Sequence, residues 1–136
     1  MTQSRREFLA VVGAAACCAP LAGCVGGVVA AGDAADYAVD TLTSVGEGVA
    51  IGRDDGGIYA MTTICTHLQC DMANQGEITP DLLTCDCHES TFDGTGEVLG
   101  GPANRALDFY EVSVLEDGTL SVDTGVVVDA AERLAV

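Results

Sequence analysis

The sequence predicts an all-β domain of short antiparallel strands, and three observations carry that reading. Polar and apolar residues alternate over short runs, Asp- and Gly-rich turn signals recur between them, and the runs are rich in Val, Ile, Leu, Phe and Tyr. Strands are expected at residues 37–42, 49–52, 58–64, 82–85, 109–115 and 119–123. Asp54-Asp55-Gly56-Gly57 separates the second from the third, and the fourth leads into a pair of cysteines. In the last two, Tyr110-Glu111-Val112-Ser113-Val114 and Leu120-Ser121-Val122-Asp123 place their polar residues on one face. The intervening Glu116-Asp117-Gly118 makes this pair a hairpin. Residues 130–136 are expected to form one helical turn or to fray. No internal repeat is evident, and with residues 1–23 set aside about 110 remain, the size of one ordinary domain.

The chemistry lies in two short stretches. Cys65-Thr66-His67-Leu68-Gln69-Cys70 holds a Cys-x-His pair and Cys85-Asp86-Cys87-His88-Glu89-Ser90 a Cys-x-x-His pair, each with an extra cysteine. Two thiolates and two imidazoles at this spacing suit either a closed tetrahedral zinc site or a [2Fe–2S] cluster in which two histidines replace two cysteines on one iron. The flanking residues favour the cluster. With Gly101-Pro102-Ala103 downstream, the chain resembles the Rieske iron–sulfur family: Cys-x-His-x-x-Cys, then Cys-x-Cys-His-x-Ser, then a Gly-Pro-Ala loop that closes over the cluster. The resemblance runs directly over residues 60–104 and, by length, over 36–123.

The resemblance implies a Rieske-like antiparallel β-sandwich with a two-loop cluster-binding subdomain. It implies that Cys65 and Cys85 bind one iron of a single [2Fe–2S] cluster, that His67 and His88 bind the other, and that Cys70 and Cys87 form a disulfide joining the loops. Closing that 17-residue loop is worth about 3 kcal/mol in the chain-entropy model. It further implies that Leu68 shields the cluster, that Ser90 donates to a cluster sulfur, and that Gly101 and Pro102 form a third wall. Exchanging two thiolates for neutral imidazoles brings the oxidised cluster to a formal charge of about zero, so the potential rises, to roughly −150 to +300 mV across the family. Phe92 stands where quinol-oxidising members carry a tyrosine hydroxyl, and Asn104 where many carry a second proline. Asp86 and Glu89 add carboxylates beside the ligands, and Glu89 occupies a position whose glycine in the family suits a backbone costly for other residues. Together these predict a low or middle potential for the family.

A disulfide persists outside the reducing cytosol, and the N-terminus points the same way. Ser4-Arg5-Arg6-Glu7-Phe8-Leu9 resembles the twin-arginine export signal, with an apolar stretch over residues 10–22. Leu21-Ala22-Gly23-Cys24 resembles a lipobox, in which Cys24 is lipidated. The rival is an uncleaved anchor in which Cys17, Cys18 and Cys24 are small apolar residues, as in the Rieske subunits of cytochrome bc complexes. The expected organisation is a signal or anchor over 1–23, a flexible linker over 24–35, the cluster domain over 36–123 and a tail over 124–136. The protein is expected to be exported and membrane-tethered, in the periplasm or on the outer face of the cytoplasmic membrane.

Of 21 acidic residues only Glu7 precedes Cys24, and the bases after it are Arg53, Arg105 and Arg133, with no lysine. Without a basic patch, nucleic acid and adhesion to anionic lipid through the domain are excluded. The acidity suits a basic electron-transfer partner such as a c-type cytochrome, and equally high salt or solubility. No nucleophile–base set or nucleotide loop supports an independent catalytic cycle. The leading expectation is a tethered carrier of single electrons between a donor enzyme and a soluble acceptor. The alternatives are a Rieske subunit of a quinol-oxidising cytochrome bc complex, with a membrane quinol oxidase as partner, or of a molybdenum oxidoreductase such as arsenite oxidase. A structural zinc module and a cytosolic oxygenase ferredoxin rank behind them.

Overall fold

A computed structural model describes residues 27–136. Ten strands follow in chain order: β1 (Val28–Asp33), β2 (Thr41–Gly46), β3 (Val49–Asp54), β4 (Gly57–Thr62), β5 (Gly76–Ile78), β6 (Leu82–Cys85), β7 (Ser90–Asp93), β8 (Val98–Gly100), β9 (Phe109–Val114) and β10 (Thr119–Val128). They form a six-stranded sheet ordered β1-β10-β9-β4-β3-β2 and a four-stranded sheet ordered β5-β6-β7-β8, with every pairing antiparallel. The all-β expectation holds. No helix among the described residues is long and apolar enough to cross a membrane.

Side-chain alternation in β3 and β4 explains how the large sheet is built. Val49, Ile51, Ile58 and Ala60 point to one face and pack with Val29, Ala31, Leu120 and Val122 of β1 and β10. Ala50, Tyr59 and Met61 point to the other and pack with Phe109 and with Leu83 and Phe92 of the small sheet. A sheet buries a face against its own strands only by curling, so β1 and β10 wrap over β3 and β4 as a half-barrel. Fully burying each such aliphatic side chain contributes about 1.5–3 kcal/mol, which makes these central strands the most protected part of the fold. Both faces being buried is also why β3 and β4 read as near-continuous apolar runs.

The structure departs from the expected elements in four places. The linker expected over 24–35 gives way at Val28 to strand β1, because its small residues fit against β10 and bury Val29 and Ala31. The strand expected over 37–42 begins later, at Thr41. Residues 34–36 form a 3₁₀ turn capped by Asp33, Arg53 binds the carbonyls of Ala34 and Tyr37 (3.1 and 3.2 Å), and the Tyr37 hydroxyl donates to the Ala31 carbonyl. The expected tail over 124–136 belongs to the fold, since β10 continues to Val128. Beyond it there is no helical turn: Leu134 pairs with Ile58 through two backbone bonds of 2.8 and 2.9 Å, and Arg133 donates to Asp54 at 2.7 Å and lies 4.3 Å from the Tyr59 ring centroid. Gly57, at φ 132°, is needed there because a Cβ would collide with the Leu134 carbonyl. Finally, β5, β7 and β8 have three or four residues each, too few to show a period. The twin-arginine motif, Cys17, Cys18 and Cys24 lie outside the described residues.

Candidate metal centre

Three loops at one end of the small sheet build the site. The first, between β4 and β5, carries Cys65 to Cys70. It folds back on itself through Cys65 N–H to the Cys70 carbonyl (2.8 Å), Gln69 N–H to the Cys65 carbonyl (3.0 Å) and a bridge between Ile64 and Asp71. The second is the hairpin turn Asp86-Cys87-His88-Glu89, closed by the Cys85–Ser90 pair at the ends of β6 and β7. The third follows β8 and contains Gly101, Pro102 and Ala103. Two tongues held by sheet strands thus face each other, with a short loop across their base.

The sequence-predicted residues converge there. Cys65 and Cys85 are free thiols, each only 1% exposed. Burial pushes the Cys85 thiol up, and Cys65 beside it acts in the same direction, while the backbone N–H groups of Cys87 and His88 pull it back. Those amides would stabilise a bound thiolate. The His67 and His88 rings lie 4.9 Å apart, edge to face at 79°. His67 Nδ1 is buried with no hydrogen-bond partner, and His88 is exposed. A buried ring nitrogen without a protein partner, on the same loop as one of the two buried free thiols, is a donor that a metal would satisfy, because an unpaired polar atom in the interior is costly. The donor set therefore fits an iron–sulfur cluster. Cys70 and Cys87 are joined in a disulfide with Cα atoms 6.6 Å apart. Their sulfurs and that of Cys85 lie within 4.8 Å of one another, but the disulfide leaves Cys85 alone of the three to bind metal.

The surrounding residues divide into a buried support and an exposed rim. Ser90 is fully buried, and its Oγ accepts from Ala103 N–H at 3.1 Å, tying the third loop to the second. No protein acceptor takes the Ser90 proton among the described residues, so it remains available for a cluster sulfur. Gly101 sits at φ 85°, where a Cβ would lie 2.5 Å from both the Glu89 carbonyl oxygen and Ser90 Cα; only glycine lets the loops approach this closely. Phe92 is fully buried in the core between the sheets and brings no hydroxyl. Leu68 is 58% exposed and Pro102 is exposed, so both stand on the rim. Glu89 does adopt the left-handed backbone anticipated for that position (φ 62°).

Three supports escaped the sequence reading. Thr66 Oγ1 donates to the Arg105 carbonyl at 2.6 Å, latching the first loop to the chain beyond the third. Asp71 accepts from Thr63 Oγ1 (2.6 Å), Ala73 N–H (3.0 Å) and Asn74 Nδ2 (3.1 Å), fixing the exit from Cys70. Gln69, at φ 66°, is a second left-handed residue, in the first tongue. Of these only Asp71 had a readable signal, an Asp two and three residues ahead of loop donors.

The Rieske [2Fe-2S] domain family model matches residues 27–111. This chain belongs to the Rieske family. It is a Rieske electron-transfer protein whose cofactor is a [2Fe–2S] cluster, and the zinc alternative falls. The chain is 39% identical over 74 residues to the cytochrome b6-f complex iron-sulfur subunit 2, cyanelle, of Cyanophora paradoxa, covering 52% of this chain and 30% of that one. It is 42% identical over 67 residues to the cytochrome b6-f complex iron-sulfur subunit of Synechococcus sp. (strain CC9605), covering 48% and 36%. With the cytochrome bc1 complex Rieske iron-sulfur subunit of Corynebacterium efficiens it shares 39% over 70 residues, covering 50% and 17%. The alignments thus span about a third or less of these relatives. Among solved structures, a chain in the complex of reduced oxygenase and oxidized ferredoxin in carbazole 1,9a-dioxygenase superposes with a TM-score of 0.51 at 25% identity, covering 74% of this chain and 95% of that one.

Proposed function

We propose that this Rieske protein is tethered at the outer face of the cytoplasmic membrane and carries single electrons between a donor enzyme and a soluble acceptor. In this reading Cys65 and Cys85 hold one iron of the cluster, and His67 and His88 hold the other. The cluster supplies one reversible electron at a potential raised by its neutral imidazole ligands. The observation that carries the reading is the exposed His88 ring, edge to face with a half-buried His67 whose Nδ1 is turned inward, an arrangement suited to moving an electron from the interior to the surface. The rest of the chain holds that path. The disulfide fixes the two tongues, the Gly101 loop closes their base, and Ser90 offers its proton inward. Phe92 provides no second hydroxyl, so the reduced state has one fewer donor than in quinol oxidisers and the potential lies low or in the middle of the family range. The tether rests on the twin-arginine and lipobox patterns in the sequence.

A second reading, the iron–sulfur subunit of a quinol-oxidising bc-type complex, is favoured by the b6-f and bc1 relatives. There the exposed His88 imidazole would also accept the quinol's proton. The two readings part at the electron donor. Reduction of the cluster-loaded protein by quinol in isolated membranes, abolished by removing its cytochrome b partner, supports the complex. Reduction by a soluble or peripheral enzyme, unaffected by that removal, supports the carrier.

A further inference from the structure

A second cavity lies at the seam between the two sheets, away from the metal centre. The large sheet contributes Arg53 and Asp54 at the end of β3 and Tyr59 on β4, and the small sheet contributes Asp81 before β6 and Asp93 at the end of β7. Arg133 of the C-terminal segment and Asp40 before β2 complete it. Its volume is about 380 Å³, within the range of small-molecule sites. Asp93 pairs with Leu82 at the opposite end of the β6–β7 hairpin from the Cys85–Ser90 pair, about 10 Å away at the rise of a strand.

The observation that points to a ligand is an orphan hydroxyl. Tyr59 is only 6% exposed and lines the cavity, yet its hydroxyl has no hydrogen-bond partner among the described residues, whereas the buried Tyr37 hydroxyl donates to the Ala31 carbonyl. Buried tyrosine hydroxyls ordinarily find a partner. The neighbouring strand makes room for this one: Gly52 stands opposite Tyr59 on β3, and a Cβ there would collide with the phenol ring and its oxygen. Glycine inside a strand marks such a close approach. Burial pushes the Tyr59 phenol up, and Asp54, Asp81 and Asp40 act in the same direction against Arg133, so the hydroxyl keeps its proton and can donate.

Charges of both signs are left over around it. Arg53 donates only through Nη1, to the Ala34 and Tyr37 carbonyls, and Arg133 only through Nε and Nη1, so both Nη2 groups have no acceptor among the described residues. The chain has a formal net charge of −16, and two of the three arginines that follow residue 23 line this one cavity. Asp93 accepts from Thr95 and Glu97 through Oδ1 alone, and the Asp40 and Asp81 carboxylates have neither a hydrogen bond nor an ion pair among the described residues. No three of these carboxylates bring oxygens within 4.8 Å of one another, so they are not gathered for a metal ion.

We propose that this cavity binds a small zwitterion, a free amino acid or a molecule with the same two ends. Its carboxylate meets Arg53 and the Tyr59 hydroxyl, and its ammonium meets Asp40, Asp81 and the free oxygen of Asp93. A simple amine or a simple carboxylate would use only half of these groups. Residues of both sheets take part, so the bound zwitterion bridges the large sheet to the small sheet that carries the metal centre. The site stands apart from the carrier reading, and neither depends on the other.

The test is isothermal titration calorimetry of the full, cluster-loaded chain with glycine, γ-aminobutyrate and L-glutamine as probes, and with propionate and propylammonium as single-ended controls. At least one zwitterion should bind ~10-fold or more tighter than either control and should raise the melting temperature, because it binds the folded chain alone. Tyr59→Phe decides the assignment. The hydroxyl has no protein partner, so the ligand-free melting temperature should not fall, while affinity for that zwitterion should drop about tenfold, as for a lost hydrogen bond to a charged group. Asp40→Asn with Asp81→Asn should weaken binding at least as much. Glu116→Gln with Asp117→Asn, on the remote β9–β10 turn, should leave it unchanged. If all three zwitterions bind no tighter than the controls, or if Tyr59→Phe binds as the native chain does, the cavity is not such a site. A remote variant that weakens binding as much as the cavity variant also overturns the proposal, as does a Tyr59→Phe protein that melts lower without ligand, since the hydroxyl would then serve the fold.

Discussion

Replacing Ser90 by alanine separates the two jobs given to one buried hydroxyl. Its oxygen accepts from Ala103 N–H at 3.1 Å, and its proton has no protein acceptor among the described residues. Removing the oxygen leaves a buried N–H without a partner, which costs about 1–3 kcal/mol of stability. Removing the proton takes away a donor that binds the reduced, more negative cluster more strongly than the oxidised one. If the difference between those states is about 1–2 kcal/mol, as for hydrogen bonds to charged groups, the potential falls by about 40–80 mV, since ~1.4 kcal/mol corresponds to ~59 mV for one electron. Protein-film voltammetry on the loaded Ser90→Ala protein reads the potential, and urea unfolding reads the stability. The expected result is a loss in both. A loss of stability at unchanged potential would show that Ser90 only fastens the Ala103 loop, and the inward direction of its proton would be refuted.

Three further outcomes are expected. Gly101→Ala should destabilise the protein by about 2 kcal/mol or more, combining the left-handed backbone cost with the clash against Glu89 and Ser90, and should speed cluster loss; chemical unfolding and the decay of visible absorbance check both. Replacing Cys70 and Cys87 together by serine removes a bridge across 17 residues and should cost about 3 kcal/mol in reversible unfolding, with faster cluster release. Burial pushes the Asp54 carboxyl up, but the Arg133 bond and the N–H groups of Gly56 and Gly57 outweigh it and hold the carboxyl below its usual range. A group depressed in this way stabilises above its unfolded value of about 3.9, and the contribution is lost as pH falls through the folded value. The stability gap between the native chain and Arg133→Gln should therefore be full at neutral pH and close as acid unfolding is followed below ~pH 4; a gap that widens in acid would contradict the assignment.

The centre was legible where chemistry dictates spacing. Four candidate ligands, two bridging cysteines, a serine and a glycine–proline loop survive as a local pattern because each tongue is only six residues long, and the structure places them on three adjoining loops. The β9–β10 hairpin was legible because one of its faces is solvated and alternation survives. The supports of the site were less visible. Strands β5, β7 and β8 take their stability from pairing in the small sheet, not from a pattern of their own. Strand β1 resembled a linker because valine and alanine are small enough for either role, and contact with β10, more than ninety residues later, decides between them. Leu134 reaches Ile58 across a similar gap, which no local reading of the last residues reveals.

The central claim is that Cys65, Cys85, His67 and His88 hold a cluster that accepts and releases one electron through the histidine side. Electron paramagnetic resonance of the dithionite-reduced full chain, combined with a redox titration, tests it directly. The account predicts a reduced Rieske spectrum with nitrogen couplings from two histidines and a one-electron midpoint below ~+200 mV, in the lower or middle part of the family range. A zinc-loaded protein without signal, or a spectrum lacking the two nitrogen couplings, would contradict it.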